Sequence, residues 1–130
     1  MHDILIKREK DAERIRELLS HYAPDLQIRG RYYVAEKDGE IAGIVGLLFR
    51  SWYMTEIRHL YVWKRRERVG TILVQEVLKK IQTPLTCATV QADNVAAVRL
   101  FTKLGFACTR KFMNPRTGRM LYLFVRNVMI

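Results

Sequence analysis

The spacing of apolar residues along the second half of this chain switches back and forth between a period near two and a period near 3.6, with turn residues between the segments. That pattern commits the chain to one continuous run of alternating strands and helices. Gly70, Leu73, Val74, Val77, Leu78 and Ile81 trace a single helical face, and Pro84 forbids its continuation. Residues 86–90 form a β-rich run. Asn94 then precedes Ala97, Leu100, Phe101 and Leu104, spaced i, i+3, i+4, i+7, and Gly105 ends that helix. Residues 106–113 and 119–126 flank Asn114-Pro115-Arg116-Thr117-Gly118, which is turn chemistry between two strands. The order is strand, helix, strand, helix, strand, strand.

The first half continues the alternation. Residues 4–7 read as a short strand, and Asp11 can cap a helix whose apolar face is Ile15, Leu18, Leu19 and Tyr22. Pro24 and Gly30 close that region. Residues 32–36 and 40–49 read as a hairpin around Lys37-Asp38-Gly39, because Asp-Gly supplies the positive φ that a tight turn requires. The next strand covers about residues 52–63, and its apolar parity changes: Tyr53 and Ile57 are odd, Leu60 and Val62 even. Either a bulge lies near Arg58-His59, or the strand is buried on both faces and parity carries no information.

At 130 residues the chain is expected to form a single domain, residues 1–130. A composition 49% hydrophobic and 28% charged excludes a collagen-like or disordered polymer. The longest nearly uninterrupted apolar run, 41–49, is far short of the ~20 residues that span a bilayer, and no secretory segment opens the chain. The expectation is a soluble, cytoplasmic protein with no membrane partner. Cys87 and Cys108 read as two buried thiols in a reducing compartment, with no disulfide framework and no metal site. Through Glu67 there are 13 Lys and Arg against 11 Asp and Glu, and from Arg68 onward 10 against 2, so 8 of the net +10 lies in the second part. Such asymmetry favours a polyanionic partner: a phosphate cofactor, a nucleic acid or an acidic protein.

One junction gathers that charge. Leu60-Tyr61-Val62-Trp63-Lys64-Arg65-Arg66-Glu67-Arg68-Val69-Gly70-Thr71 runs from a strand directly into the head of the strongest helix. Unpaired backbone N–H groups, the helix dipole and the side chains of Lys64, Arg65, Arg66 and Arg68 make an anion site suited to phosphate or pyrophosphate, although a solvated basic loop has the same composition. A Walker loop is excluded, since its glycines and Lys-Ser/Thr pair are absent.

The stretch Arg65-Arg66-Glu67-Arg68-Val69-Gly70 resembles the Gln/Arg-x-x-Gly-x-Gly/Ala turn of the GNAT superfamily of N-acetyltransferases, with Arg68 where the first glycine would stand. A second segment is more specific. Val90-Gln91-Ala92-Asp93-Asn94-Val95-Ala96-Ala97-Val98-Arg99-Leu100-Phe101-Thr102-Lys103-Leu104-Gly105-Phe106 is similar to that family's strand-Asn-x-x-Ala-x-x-Leu-Tyr-x-Lys-Leu-Gly-Phe, with Phe101 in place of tyrosine. The resemblance implies an α/β (α+β) fold: a mixed, mostly antiparallel sheet of about seven strands, splayed between the fourth and fifth and flanked by helices. It also implies that acetyl-CoA enters the splay. Its pyrophosphate would lie on the amides of Arg66, Glu67, Arg68, Val69, Gly70 and Thr71, with Arg65 beside them, and its pantetheine arm along Leu60 and Val62. Asn94 would hydrogen-bond near the pantetheine or simply cap its helix. Phe101 would border the cofactor or serve as a core aromatic.

The reaction implied is acetyl transfer to a primary amine by direct attack in a ternary complex. A lysine-type amine with a pKa of ~10.4 is mostly protonated at neutral pH, so a base or water chain must take its proton. Glu56, the only carboxylate in 50–63, is the candidate base or else an exposed partner of Arg58 or Arg50; His59 is the weaker candidate. With Phe101 lacking a hydroxyl, Tyr61, Tyr122 or a water would protonate the leaving thiolate. Arg110, Lys111, Arg116 and Arg119 on the last hairpin disfavour a strongly cationic acceptor and favour an amine in an acidic protein segment, either an N-terminus or a lysine, or an amine on a charged RNA. Two other readings stand beside this one: an acyl-CoA sensor without turnover, and a basic nucleic-acid-binding protein, for which no motif is present. The apolar end Val128-Met129-Ile130 would join a homodimer contact or finish the core.

Overall fold

The computed structural model describes residues 3–20, 27–63 and 68–127. Tyr22, Pro24, Lys64, Arg65, Arg66, Glu67 and the end Val128-Met129-Ile130 lie outside the described residues. The chain divides into two compact units, one of Met1–Leu48 and Ile57–Ile81, the other of Phe49–Glu56 and Gln82–Ile130.

In the first unit, β1 (Ile4–Glu9) pairs antiparallel with β2 (Arg31–Lys37), and β2 with β3 (Glu40–Ser51). The β2–β3 turn is the predicted one: Asp38 and Gly39 take φ 54° and 80°, the left-handed pair that matches strand twist. Between β1 and β2 lies α1 (Ala12–Leu19), capped by Asp11, whose Oδ1 accepts from the N–H groups of Glu13 and Arg14 at 3.0 and 3.4 Å. Ile15 and Leu19 of α1 close over Tyr32, Val34 and Ile44. At roughly 1.5–3 kcal/mol for each fully buried large apolar side chain, this cluster is a principal source of the unit's stability.

Four successive β2 residues, Tyr32, Tyr33, Val34 and Ala35, are buried, so both faces of the strand are covered. Tyr32 and Val34 face α1. Tyr33 takes the other side, where the Lys80 ammonium lies 5.4 Å from its ring centroid. That side belongs to α2 (Val69–Leu78), which buries Val69, Gly70, Leu73, Val74 and Val77. The helix stops short of the expected Ile81 because the chain tightens: Lys80 donates to the Val77 carbonyl and Ile81 to that of Leu78, bonds spanning one residue fewer than a regular turn.

The second unit holds β5 (Leu85–Gln91), α3 (Val95–Lys103), β6 (Ala107–Met113) and β7 (Met120–Asn127). Asn94 caps α3, accepting from the Ala97 N–H at 3.1 Å. β7 inserts between β5 and β6 and is antiparallel to both. Phe101 of α3 packs edge-on against Phe106 and stacks on Phe124, and the three rings form the apolar centre of this unit.

β4 (Met54–Val62) starts in the second unit and finishes in the first. Its opening residues pair in parallel with β5 as Met54↔Leu85, Thr55↔Thr86 and Glu56↔Cys87. The Leu85 N–H also donates to the Tyr53 carbonyl at 2.9 Å, and the buried hydroxyls of Thr55 and Thr83 meet at 2.7 Å. Beyond Glu56 and Cys87 the parallel ladder ends, and Ala88–Gln91 continue in register with β7. Among the described residues, seven strands form one mixed sheet in the order β1-β2-β3-β4-β5-β7-β6, accompanied by three helices. Among the described residues no helix is long and apolar enough to cross a membrane.

Candidate functional site

The head of α2 differs from the heads of α1 and α3. α1 and α3 each receive a polar side-chain cap from Asp11 and Asn94, whereas α2 has none. Its cap residue is Arg68, in the left-handed conformation with φ 59° and ψ 23°, and no acidic residue lies in its first turn. The Arg68 carbonyl accepts the first helical bond, from the Ile72 N–H at 3.1 Å. The amides of Val69, Gly70 and Thr71 precede that bond and have no carbonyl within the helix to reach. This arrangement explains the glycine that the resemblance places at position 68. A left-handed residue costs a non-glycine side chain roughly 1–2 kcal/mol, and Arg68 bears that cost while adding an exposed cation.

The helix head is held close to the sheet. A Cβ on Gly43 would stand 3.1 Å from both the Tyr61 carbonyl oxygen and Val69 Cγ1, so the absence of a side chain there admits the first turn of α2. The Trp63 N–H donates to the Ala42 carbonyl at 2.7 Å, which anchors the end of β4 beside it. Leu60, Tyr61 and Val62 are partly buried on this last stretch of β4, and Tyr61 packs against the Ile15–Leu19–Tyr32 cluster. Just before them the backbone leaves extended geometry at His59, φ 55°, at the place where one of the two readings of the apolar parity puts a bulge.

His59 is gripped on both ring nitrogens. Its Nδ1 lies 2.7 Å from the Tyr32 hydroxyl, and its Nε2 faces Arg58 Nη2 at 3.3 Å. A guanidinium only donates, so Nε2 accepts and Nδ1–H donates to the Tyr32 oxygen; this tautomer follows from the network. Burial, reinforced by the Arg58 charge, lowers the His59 pKa from 6.5 to about 4, so the ring is neutral at pH 7. Nothing local in the sequence singles out Tyr32, which stands 27 residues from its partner.

In the second unit, Glu56 is tied to Arg50: Nε donates to Oε1 at 2.8 Å and Nη2 lies 2.6 Å from the same oxygen. Across the parallel ladder stands Cys87, where burial pushes the thiol pKa up and the Glu56 charge adds to the rise, against a weaker opposing pull from Arg50. That half-buried thiol is no activated nucleophile. Asn94 is engaged as the α3 cap, and Phe101 is 3% exposed among aromatic rings. Cys108, expected to be buried, is exposed on β6, because every residue of that edge strand faces solvent. Arg110, Lys111, Arg116 and Arg119 are all exposed on the last hairpin, and Arg119 Nη1 donates to Gln91 Oε1 at 3.1 Å. The structure thus brings Leu60, Tyr61, Val62, Arg68, Val69, Gly70 and Thr71 into one unit, and Glu56, Asn94 and Phe101 into the other.

Solved structures with this architecture include a GNAT family acetyltransferase from Elizabethkingia anophelis with acetyl-CoA bound, 18% identical, covering 96% of this chain and 98% of that one at a TM-score of 0.75. Arabidopsis thaliana NAA60 in complex with acetyl-CoA is 19% identical, with coverage of 97% and 100% and a TM-score of 0.77. A chain from the NatC complex bound to Gag peptide and CoA is 15% identical, with coverage of 97% and 99% and a TM-score of 0.78. No curated protein matches the sequence. The model of the acetyltransferase (GNAT) family matches residues 2–106, most of the chain, and the protein belongs to that family.

Proposed function

We propose that this protein is an acetyl-CoA-dependent N-acetyltransferase that moves an acetyl group to a primary amine by direct attack in a ternary complex. The observation that carries this reading is the head of α2, where a left-handed Arg68 and the amides of Val69, Gly70 and Thr71 form an anion cradle with no side-chain cap. The residues present fit a diphosphate, since the cradle offers backbone donors, the positive end of a dipole and a cation. Arg65, Arg66 and Glu67, just before it in the chain, complete the proposed loop, and Leu60 and Val62 are proposed to flank the thioester arm. Acetyl-CoA supplies the activated carbonyl.

Glu56 is the proposed base. The amine nitrogen bonds to the acetyl carbon as the carbon–sulfur bond breaks; the amine's proton goes to Glu56 directly or through water, and a proton from Tyr61 or water meets the thiolate. The Arg50 ion pair fixes the carboxylate on β4, so the base acts from a held position. For Asn94 and Phe101, assignment to the cofactor rests on the resemblance alone; within their unit one is a helix cap and the other a core aromatic. The acceptor we favour is an N-terminus or lysine in an acidic protein segment, a reading supported by the exposed cations of the β6–β7 hairpin and compatible with the peptide bound to NatC. The proposed setting is the cytoplasm, and the proposed assembly is a homodimer.

A second reading, an acyl-CoA sensor without turnover, is favoured by one observation: the buried Phe101 carries no hydroxyl where the family has its tyrosine. Thermal unfolding with acetyl-CoA at a hundredfold excess over Kd should show about 2.7 kcal/mol of added stability. No shift at saturation removes both readings. Given a shift, thiol release with an amine panel separates enzyme from sensor. Glu56→Gln should then lower turnover by roughly 10²-fold or more, and unchanged turnover removes Glu56 from the mechanism.

A further inference from the structure

Tyr32 and His59 form a polar contact that an apolar core would not need. The Tyr32 ring is 1% exposed, stands parallel to the His59 imidazole at 6.0 Å with an interplanar angle of 6°, and places its hydroxyl 2.7 Å from Nδ1. The chain accommodates the ring at close quarters. Gly46 lies opposite Tyr32 in the β2–β3 register, and a Cβ there would come within 2.7 Å of Tyr32 Cε2. His59 meanwhile adopts φ 55° in the middle of β4, a conformation that few residues other than glycine adopt and that interrupts the extended strand. An extended strand at 59 would avoid the second of these, and phenylalanine at 32 would fill the same space against Gly46 without the polar contact.

Strained backbone persists only where its surroundings over-determine it, and here they do. The ring is held by Tyr32 on Nδ1 and by Arg58 on Nε2, and its neutral state leaves both contacts intact at pH 7. The residues that follow the distortion are Leu60, Tyr61 and Val62, the stretch of β4 beside the α2 head. Their course depends on the dihedral at 59, because one left-handed residue redirects every peptide after it.

We propose that Tyr32 and His59 are positioning residues for acetyl transfer: the hydroxyl–imidazole bond locks the left-handed turn in β4 and so sets the course of Leu60 to Val62 along the reacting arm of acetyl-CoA. This rests on the N-acetyltransferase reading. It assigns neither residue a contact with substrate. A small misplacement of a reacting group costs up to ~10²-fold in rate, whereas the anion cradle at the α2 head is untouched by such a change.

The test compares wild type, Tyr32→Phe, His59→Gly and the double variant in steady-state kinetics, with acetyl-CoA affinity measured separately by calorimetry. Tyr32→Phe should lower kcat roughly 10- to 100-fold while acetyl-CoA Kd and acceptor KM stay within about twofold. His59→Gly, which frees the dihedral and removes the partner, should show the same split, and the double variant should lose no more than either single one. Unchanged kcat in folded Tyr32→Phe overturns the inference, as do losses that multiply in the double variant. Failure of both single variants to fold assigns the pair to the core and overturns it too. If wild type neither binds acetyl-CoA nor turns over, the N-acetyltransferase reading falls and the inference with it, an outcome distinct from an active wild type with indifferent variants.

Discussion

Lowering the pH from about 7.5 to about 4.5 should destabilise this protein through His59 in a way that an unprotonatable residue at the same position does not reproduce. In the folded chain, burial and then the Arg58 charge hold the ring at a pKa of about 4, against 6.5 for the free side chain. Above pH 6.5 the ring is neutral in both states and contributes no pH dependence. Between 6.5 and about 4 only the unfolded chain takes up the proton, so stability falls as the pH drops through that window. Below about 4 both states are protonated and the loss levels off. A separation of about 2.5 pH units at ~1.36 kcal/mol each sets a ceiling of ~3.4 kcal/mol for complete titration, of which about 2.6 kcal/mol is reached by pH 4.5. The ring is only half-buried, and solvent screening reduces this to about 1–2 kcal/mol. Urea unfolding of wild type and His59→Asn at the two pH values measures the effect, since asparagine tolerates the left-handed backbone and does not titrate. Carboxylate contributions to acid instability cancel in the comparison. Wild type should lose about 1–2 kcal/mol more than the variant on acidification; equal losses in the two proteins would refute the account of why the ring stays neutral.

Arg68→Gly should relieve the left-handed cap of α2 and, after the extra unfolded-state entropy of glycine, stabilise the fold by roughly 0.5–1 kcal/mol, while the thermal shift given by acetyl-CoA shrinks for want of the cation. A clear drop in stability would show that the conformation is not strained. Thr83→Val leaves the buried Thr55 hydroxyl without its 2.7 Å partner and removes the bond to the Leu85 carbonyl, at a cost of about 1–3 kcal/mol by urea unfolding; the Thr55→Val/Thr83→Val double variant should cost less than the two single changes added. Gly46→Ala drives a methyl against the Tyr32 ring and should cost about 1–3 kcal/mol, and a variant as stable as wild type would mean that the ring can shift freely.

Features whose energetics lie within a few residues were legible in the amino-acid order. Asp11 and Asn94 cap the helices they precede, Asp38-Gly39 turns the hairpin, and the face of α2 that the periodicity marks is the face that is buried. The resemblance likewise anticipated a mixed, mostly antiparallel sheet of about seven strands, while the parallel pairing of Met54, Thr55 and Glu56 with β5 came from the structure. The ends of elements were less legible, as at Ile81, where a tightened last turn replaces the helix that the apolar spacing continues. The candidate site was legible as a set of residues and much less as a set of contacts. Glu56 could be named with Arg50 or Arg58 as its partner, but the order of residues does not choose between them.

The residues themselves determined the short-range choices: which peptides turn, which helices receive a cap, where positive charge collects, and that position 101 has no hydroxyl. Only the folded chain decided that Arg50 rather than Arg58 takes Glu56, that Phe101 packs between Phe106 and Phe124, that Cys108 faces solvent, and that Tyr32 meets a left-handed His59. The division has a physical cause. Dihedral preferences and caps are energies of neighbours along the chain, whereas each of those pairings depends on which distant strand returns alongside, and in which register.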